Sequence, residues 1–183
     1  MKGGGKRFLF LIVIYAAAAK WFNESRKIGK NNYSQVHKME YSVGKTGRII
    51  AARLFEGEDI YESIEEIAKK EDIKSAAVLI IGGLRKANVV VGPKTEKPKI
   101  VGNFKAFTGP GEVLGVGTIY CDDEGPKLHI HTAIGKANET IVGCPRGGAK
   151  TFLILEVTII EIDGIEASRK PDENTGLNLL RFK

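Results

Sequence analysis

The sequence predicts an α/β domain of the α+β kind: a mixed, largely antiparallel sheet of about seven strands with one main helix. Three observations predict it. One segment, and only one, carries a clear helical stripe. Short β-branched or apolar runs recur between glycine and proline clusters. The later runs follow one another with no helix between them, which argues against a doubly wound parallel sheet.

In chain order, TGRIIAARLF (46–55) alternates as a strand and Gly57 breaks it. Glu58 and Asp59 then place acids where a helix dipole favours them. Ile60, Ile64, Ile67 and Ala68 form the apolar stripe, with Glu62, Glu65, Glu66, Lys69 and Lys70 mostly on the other face. AAVLII (76–81) is a continuous apolar run stopped by Gly82-Gly83, as in a central strand covered on both faces. ANVVV (87–91) is a further strand, and 105–107 extends until Gly109-Pro110-Gly111 turns. EVLGVGTIYC (112–121) and PKLHIHTAI (126–134) flank the turn 122–125 as a hairpin. Gly143 to Gly148 reads as a glycine-rich loop, and TFLILEVTIIEI (151–162) as a long strand. The tail from Ala167 to Asn178 is polar, and Leu179 to Phe182 adds a last short strand.

These elements place the domain at residues 39–183 and leave 1–38 outside the fold. The formal net charge of +6 divides along the same line. Residues 1–38 hold eight Lys/Arg and one acid, a balance of +7; residues 39–183 hold 20 Lys/Arg and 21 Asp/Glu, a balance of −1. Bulk charge therefore gives the domain no support as a nucleic-acid binder. The leader joins Lys2, Lys6 and Arg7 to a twelve-residue apolar run, Phe8 to Ala19, that ends in small residues. Three readings stay open: an upstream extension from too early a start codon, a signal-like segment of an exported or membrane-anchored form, and a basic arm. Without a retained leader the expectation is a cytoplasmic protein with no membrane partner. The absence of Gln from 39–183 and the wealth of Ile, Lys and Glu lean toward a thermophilic source.

Chemistry concentrates at one place. His129 and His131 stand two apart in a strand, so both imidazoles project from one face toward a common ion or ligand. They are the only histidines in 39–183. Zinc needs a third protein ligand even in an open catalytic site, and Cys144 in the next loop is the best candidate. Cationic neighbours favour thiolates, and Arg146 is two residues away. The plain alternatives are a polar pair on an exposed strand and a small residue in a tight loop. Gly143 and Gly147, with Arg146, could instead expose N–H groups and a guanidinium to an anion, and Arg53 could face the same ligand or pair with a nearby acid. The loop lacks the lysine and hydroxyl of a phosphate-binding Walker motif. Two cysteines without a CxxC exclude a disulfide scaffold and a four-cysteine zinc ribbon, and no serine stands at a nucleophile-like turn.

The order of motifs resembles a known family. Arg53-Leu54 with Gly57-Glu58-Asp59, then Ile81 to Leu84, Glu112 to Ile119, Leu128 to His131, Ile141 to Gly143 and the closing strand together look like the PPC domain, the plants-and-prokaryotes-conserved domain, over about Arg48 to Ile162. In plants it accompanies AT-hook motifs in nuclear proteins; in bacteria and archaea it stands alone. The resemblance implies a homotrimer. It also implies a metal site of the His-x-His pair and a third histidine from a Gly-Gly-His loop. His129 and His131 match, whereas Gly143-Cys144-Pro145 departs from the pattern. DNA binding or regulation is the family's other implied role, and the chain has no AT-hook core. The sequence leaves three functions open: a trimeric zinc-binding protein with or without enzymatic activity, a DNA-binding regulator, and a non-catalytic module for a small anion or a partner.

Overall fold

The computed structural model of the chain describes residues 39–97 and 99–183. All readings of the leader lie outside them. Among the described residues there are seven strands and one helix: β1 (Lys45–Phe55), α1 (Ile60–Lys70), β2 (Ser75–Thr95), β3 (Val101–Asp122), β4 (Gly125–Lys136), β5 (Glu139–Asp163), β6 (Ala167–Asp172) and β7 (Leu177–Phe182). The domain is mainly β, with the expected single helix and a sheet that is antiparallel at every pairing and not mixed. No helix among these residues is long and apolar enough to cross a membrane.

The five-stranded sheet runs β1-β5-β2-β3-β4, and β4 also pairs with β5. Strands β5, β2, β3 and β4 therefore close on themselves around the core, and β1 lies along the far side of β5. The core is built from alternate residues: Val78 and Ile80 of β2, Val113 and Ile119 of β3, Leu128, Ile130 and Ile134 of β4, and Leu155, Val157 and Ile159 of β5.

Helix α1 starts where Asp59 caps it, accepting from the Tyr61 and Glu62 N–H groups, and Lys69 and Lys70 close its last turn. Ile60, Ile64 and Ala68 are its buried stripe, as the sequence predicts. The helix packs against β4 and β5.

Glycine clusters expected to end strands instead bend them. β2 continues through Gly82-Gly83 without ending. At Gly82 φ is +139°, and a Cβ would lie 2.5 Å from the Ile154 carbonyl oxygen. The facing strand carries two extra residues there, because Gly82 pairs with Leu155 but Gly83 with Phe152. β3 likewise runs through Gly109-Pro110-Gly111 with one extra residue, from Leu84↔Gly111 to Lys86↔Thr108. The expected loop 143–148 is part of β5, with Cys144, Pro145 and Arg146 paired to Val90, Val89 and Asn88. The tail is not a single strand. Asp172 accepts from the Thr175 N–H and hydroxyl to fold 167–182 into the β6–β7 hairpin.

The run 76–81 is also not covered on both faces. Val78 and Ile80 are buried, but Leu79 and Ile81 are exposed on the outside. One helix covers too little of the sheet to bury the second face.

Gly143 allows a crossing as tight as that at Gly83: a Cβ there would lie 2.3 Å from the Val90 carbonyl oxygen. Gly143→Ala is expected to destabilise the fold by about 1–3 kcal/mol through overpacking, read as a lower denaturant midpoint. An unchanged midpoint would show that β2 and β5 part easily at this point.

Candidate metal centre

The ladder between β4 and β5 holds only from Lys136↔Glu139 to Thr132↔Gly143. Beyond that pair the strands diverge: β4 continues beside β3 alone, and β5 turns to β2. The parting exposes backbone groups on both sides, which need partners if they are to be buried. Helix α1 supplies them one turn apart. Glu65 accepts the Leu128 N–H of β4 at 2.9 Å, and the Tyr61 hydroxyl donates to the Pro145 carbonyl of β5. Burial raises the Tyr61 pKa, with Cys144 adding to the rise, so the hydroxyl remains a donor at neutral pH.

His131 and His129 follow the last shared rung on β4, and Cys144 follows it on β5. Their donor atoms all lie within 4.8 Å of one another. The period-two alternation does what the sequence implies: Leu128 and Ile130 are buried in the core, while the two rings share the opposite face with centroids 5.1 Å apart. The three donors differ in access, with His131 exposed, His129 half-buried and Cys144 buried. The Tyr61 hydroxyl lies 3.9 Å from the Cys144 sulfur.

The protonation state of His129 suits a metal ligand. The His129 pKa is lowered from 6.5 to about 4, first by burial and then by Arg169, Arg146 and His131. Its ring is therefore neutral at pH 7, the form that ligates. Two imidazoles and one sulfur make a borderline-soft donor set of the kind zinc takes, leaving room for an exogenous fourth ligand. These residues fit the ion.

The sequence profile of the Plants and Prokaryotes Conserved (PCC) domain matches residues 41–163. The chain belongs to that family. Among solved structures of similar fold, a metal-containing protein of Archaeoglobus fulgidus is 28% identical, with a TM-score of 0.69 over 78% of this chain and 99% of that one. A plant- and prokaryote-conserved protein of Pyrococcus horikoshii is 25% identical, with a TM-score of 0.63 over 79% and 99%. A protein of Ralstonia eutropha put forward as DNA-binding shares the fold at 18% identity, with a TM-score of 0.61 over 73% and 90%. The bifunctional protein GlmU of a Synechococcus strain is 24% identical over 131 residues, which are 70% of this chain and 19% of that protein. The chain thus spans about a fifth of the length of the curated relatives it matches.

Not every residue singled out in the sequence joins the PCC cluster. Arg53 is an exposed β1 residue, cross-strand from Glu156, with its guanidinium over the Phe55 ring at 4.6 Å. Gly143 serves close strand packing, and Gly147 has φ +45° in the β5 bulge with open space about its Cα. Arg146 lies close enough to act on His129. Two neighbours escaped the sequence reading. Tyr61 sits between the apolar positions of α1, and Arg169 stands in the tail read only as polar. The turn residues Asn174 to Gly176, flanked by six-residue arms, were the available signal for the hairpin that carries Arg169.

His129 gives a pH signature. In metal-free protein, the unfolded chain takes up this proton near pH 6.5 but the folded chain only near pH 4. Stability should therefore be flat for this group above about 6.5 and fall as pH drops toward 4. The difference in melting temperature between the protein and His129→Gln should shrink across that window in chelator-treated samples. A constant difference would mean that the ring titrates normally.

Proposed function

We propose that this PCC protein binds zinc through His129, His131 and Cys144 and works as a homotrimer. The observation that carries the first part is the meeting of three donors from two diverging strands within 4.8 Å. The described metal-containing relative supports it. Cys144 takes the part of the third histidine implied by the family pattern. It keeps the ligand count at three while adding a negative charge to the set. Zinc held by three protein ligands offers a fourth position to water or a substrate oxygen and acts there as a Lewis acid. Tyr61 then fixes the β5 backbone beside the sulfur, and the half-buried position of His129 limits water on one side. Cys121 and Cys144 are both free thiols, in keeping with a reducing, cytoplasmic setting.

The exposed outer face supports self-assembly. Leu79 pairs across strands with Val116 and Ile81 with Leu114, and these four are 43%, 61%, 52% and 59% exposed. A contiguous apolar patch of this kind marks an interaction surface, and the neighbouring copies around a three-fold axis are its proposed occupants. Val116 is the cross-strand neighbour of His131, so the interface would adjoin the metal. DNA binding is the weaker reading, because residues 39–183 carry a balance of −1.

Elemental analysis of full-length untagged protein should find about one zinc per chain, the yield of one three-ligand site per chain. His129→Ala/His131→Ala and Cys144→Ser should each lose most of it. Equal, trivial metal in all three would end the zinc assignment. Separately, Val116→Glu should convert a trimer to monomer in light scattering while leaving the circular dichroism spectrum unchanged. A wild-type monomer would contradict the assembly.

A further inference from the structure

Hairpin β6–β7 lies beyond the residues matched by the family profile, which end at 163. It packs against β3 and brings Arg169 to the metal cluster. One Arg169 terminal nitrogen donates to the Thr118 hydroxyl at 3.3 Å, and Thr118 is the cross-strand neighbour of His129. The guanidinium carbon stands 6.0 Å from the Tyr120 ring centroid. Its Nε is buried and has no hydrogen-bond partner.

A second guanidinium, that of Arg146, stands on β5 two residues beyond Cys144 and is exposed. Burial and then Arg146 lower the pKa of Arg169, and after burial both arginines lower that of His129. Arg48, Arg85 and Arg181 each pair with a carboxylate. Among the described residues neither Arg146 nor Arg169 forms such a pair. Two like charges have thus been brought together beside the His129 ring, with a buried donor left open. Buried guanidinium donors are costly to leave without an acceptor, and planar oxyanions match their fork.

We propose that Arg146 and Arg169 bind the oxyanion of a small ligand, a carboxylate or a phosphate, next to the His129–His131–Cys144 cluster. Only the ligand's second contact, to the metal, rests on the zinc reading. The anion contact stands without it. The hairpin then acts as a specificity element: the metal side is built by β4 and β5, and the charge that selects the ligand by β5 and β6. Phosphate and carboxylate sources share this recognition chemistry and are separated by titrating each.

Calorimetric titration of full-length, chelator-treated protein with inorganic phosphate and with acetate, at constant ionic strength, tests the inference. At least one should bind saturably. Arg146→Gln, a change at an exposed side chain, and Arg169→Gln should each weaken that binding about tenfold or more. Arg53→Gln should leave it unchanged. Zinc reloading, with metal content measured on the same samples, should tighten binding if the zinc assignment holds. Anion binding without zinc uptake would sink that assignment alone. Arg169→Met guards against a purely structural role, since it removes the open donor and the repulsion. Its melting temperature without anion should equal or exceed that of the parent, and phosphate should no longer raise it. A large drop in melting temperature for Arg169→Met, no saturable binding of either anion, or binding retained in Arg146→Gln/Arg169→Gln would each overturn the proposal. So would binding seen only with duplex DNA.

Discussion

The divergence of β4 from β5 after the Thr132–Gly143 pair is the constraint on which the candidate site depends. A sheet that closed fully there would spend the edges of both strands on each other and leave no room for a side chain between them. Because they part, α1 must satisfy the exposed backbone, and Glu65 and Tyr61 do so from positions one helical turn apart. The same parting sets the donors on its two banks, the histidines on β4 and the thiol on β5. Packing and chemistry are thus fixed by one event. Gly143 lets β5 pass close to β2, and the next residue is the proposed sulfur ligand.

Charge is arranged around this point with equal economy. The near-neutral balance of residues 39–183 hides a local excess: Arg146 and Arg169 approach His129 and hold its pKa down alongside burial. A metal ion bound there would add to that positive field, so the anionic sulfur and an anionic ligand would both offset it. Under the zinc proposal, that ordering would let a thiol stand where the resemblance implies an imidazole. It also gives a physical use to a hairpin that contributes little to the main core.

Part of this was legible from residues alone. Strict alternation around Leu128 and Ile130 placed the two imidazoles on one face, because strand period leaves no other option. The stripe Ile60, Ile64 and Ala68 likewise defined the helix. Glycines misled. Gly82-Gly83, Gly109 and Gly143 read as breaks, yet in long strands they mark bulges and close backbone crossings, which depend on a partner strand absent from any local window. The apolar run 76–81 suggested cover on both faces, whereas Leu79 and Ile81 lie bare in the single chain. Arg169 was invisible for a related reason: its meaning comes from β3, about fifty residues away in sequence, once the hairpin has docked.

The central claim is that one zinc ion joins the two banks of the parting through two imidazole nitrogens and one sulfur. Zinc-edge X-ray absorption on the zinc-loaded, full-length protein measures that shell directly. A sulfur scatterer at about 2.3 Å together with nitrogen scatterers at about 2.0–2.1 Å is the predicted result, with the sulfur contribution lost in Cys144→Ser. A shell of nitrogen and oxygen alone in the unaltered protein would contradict it.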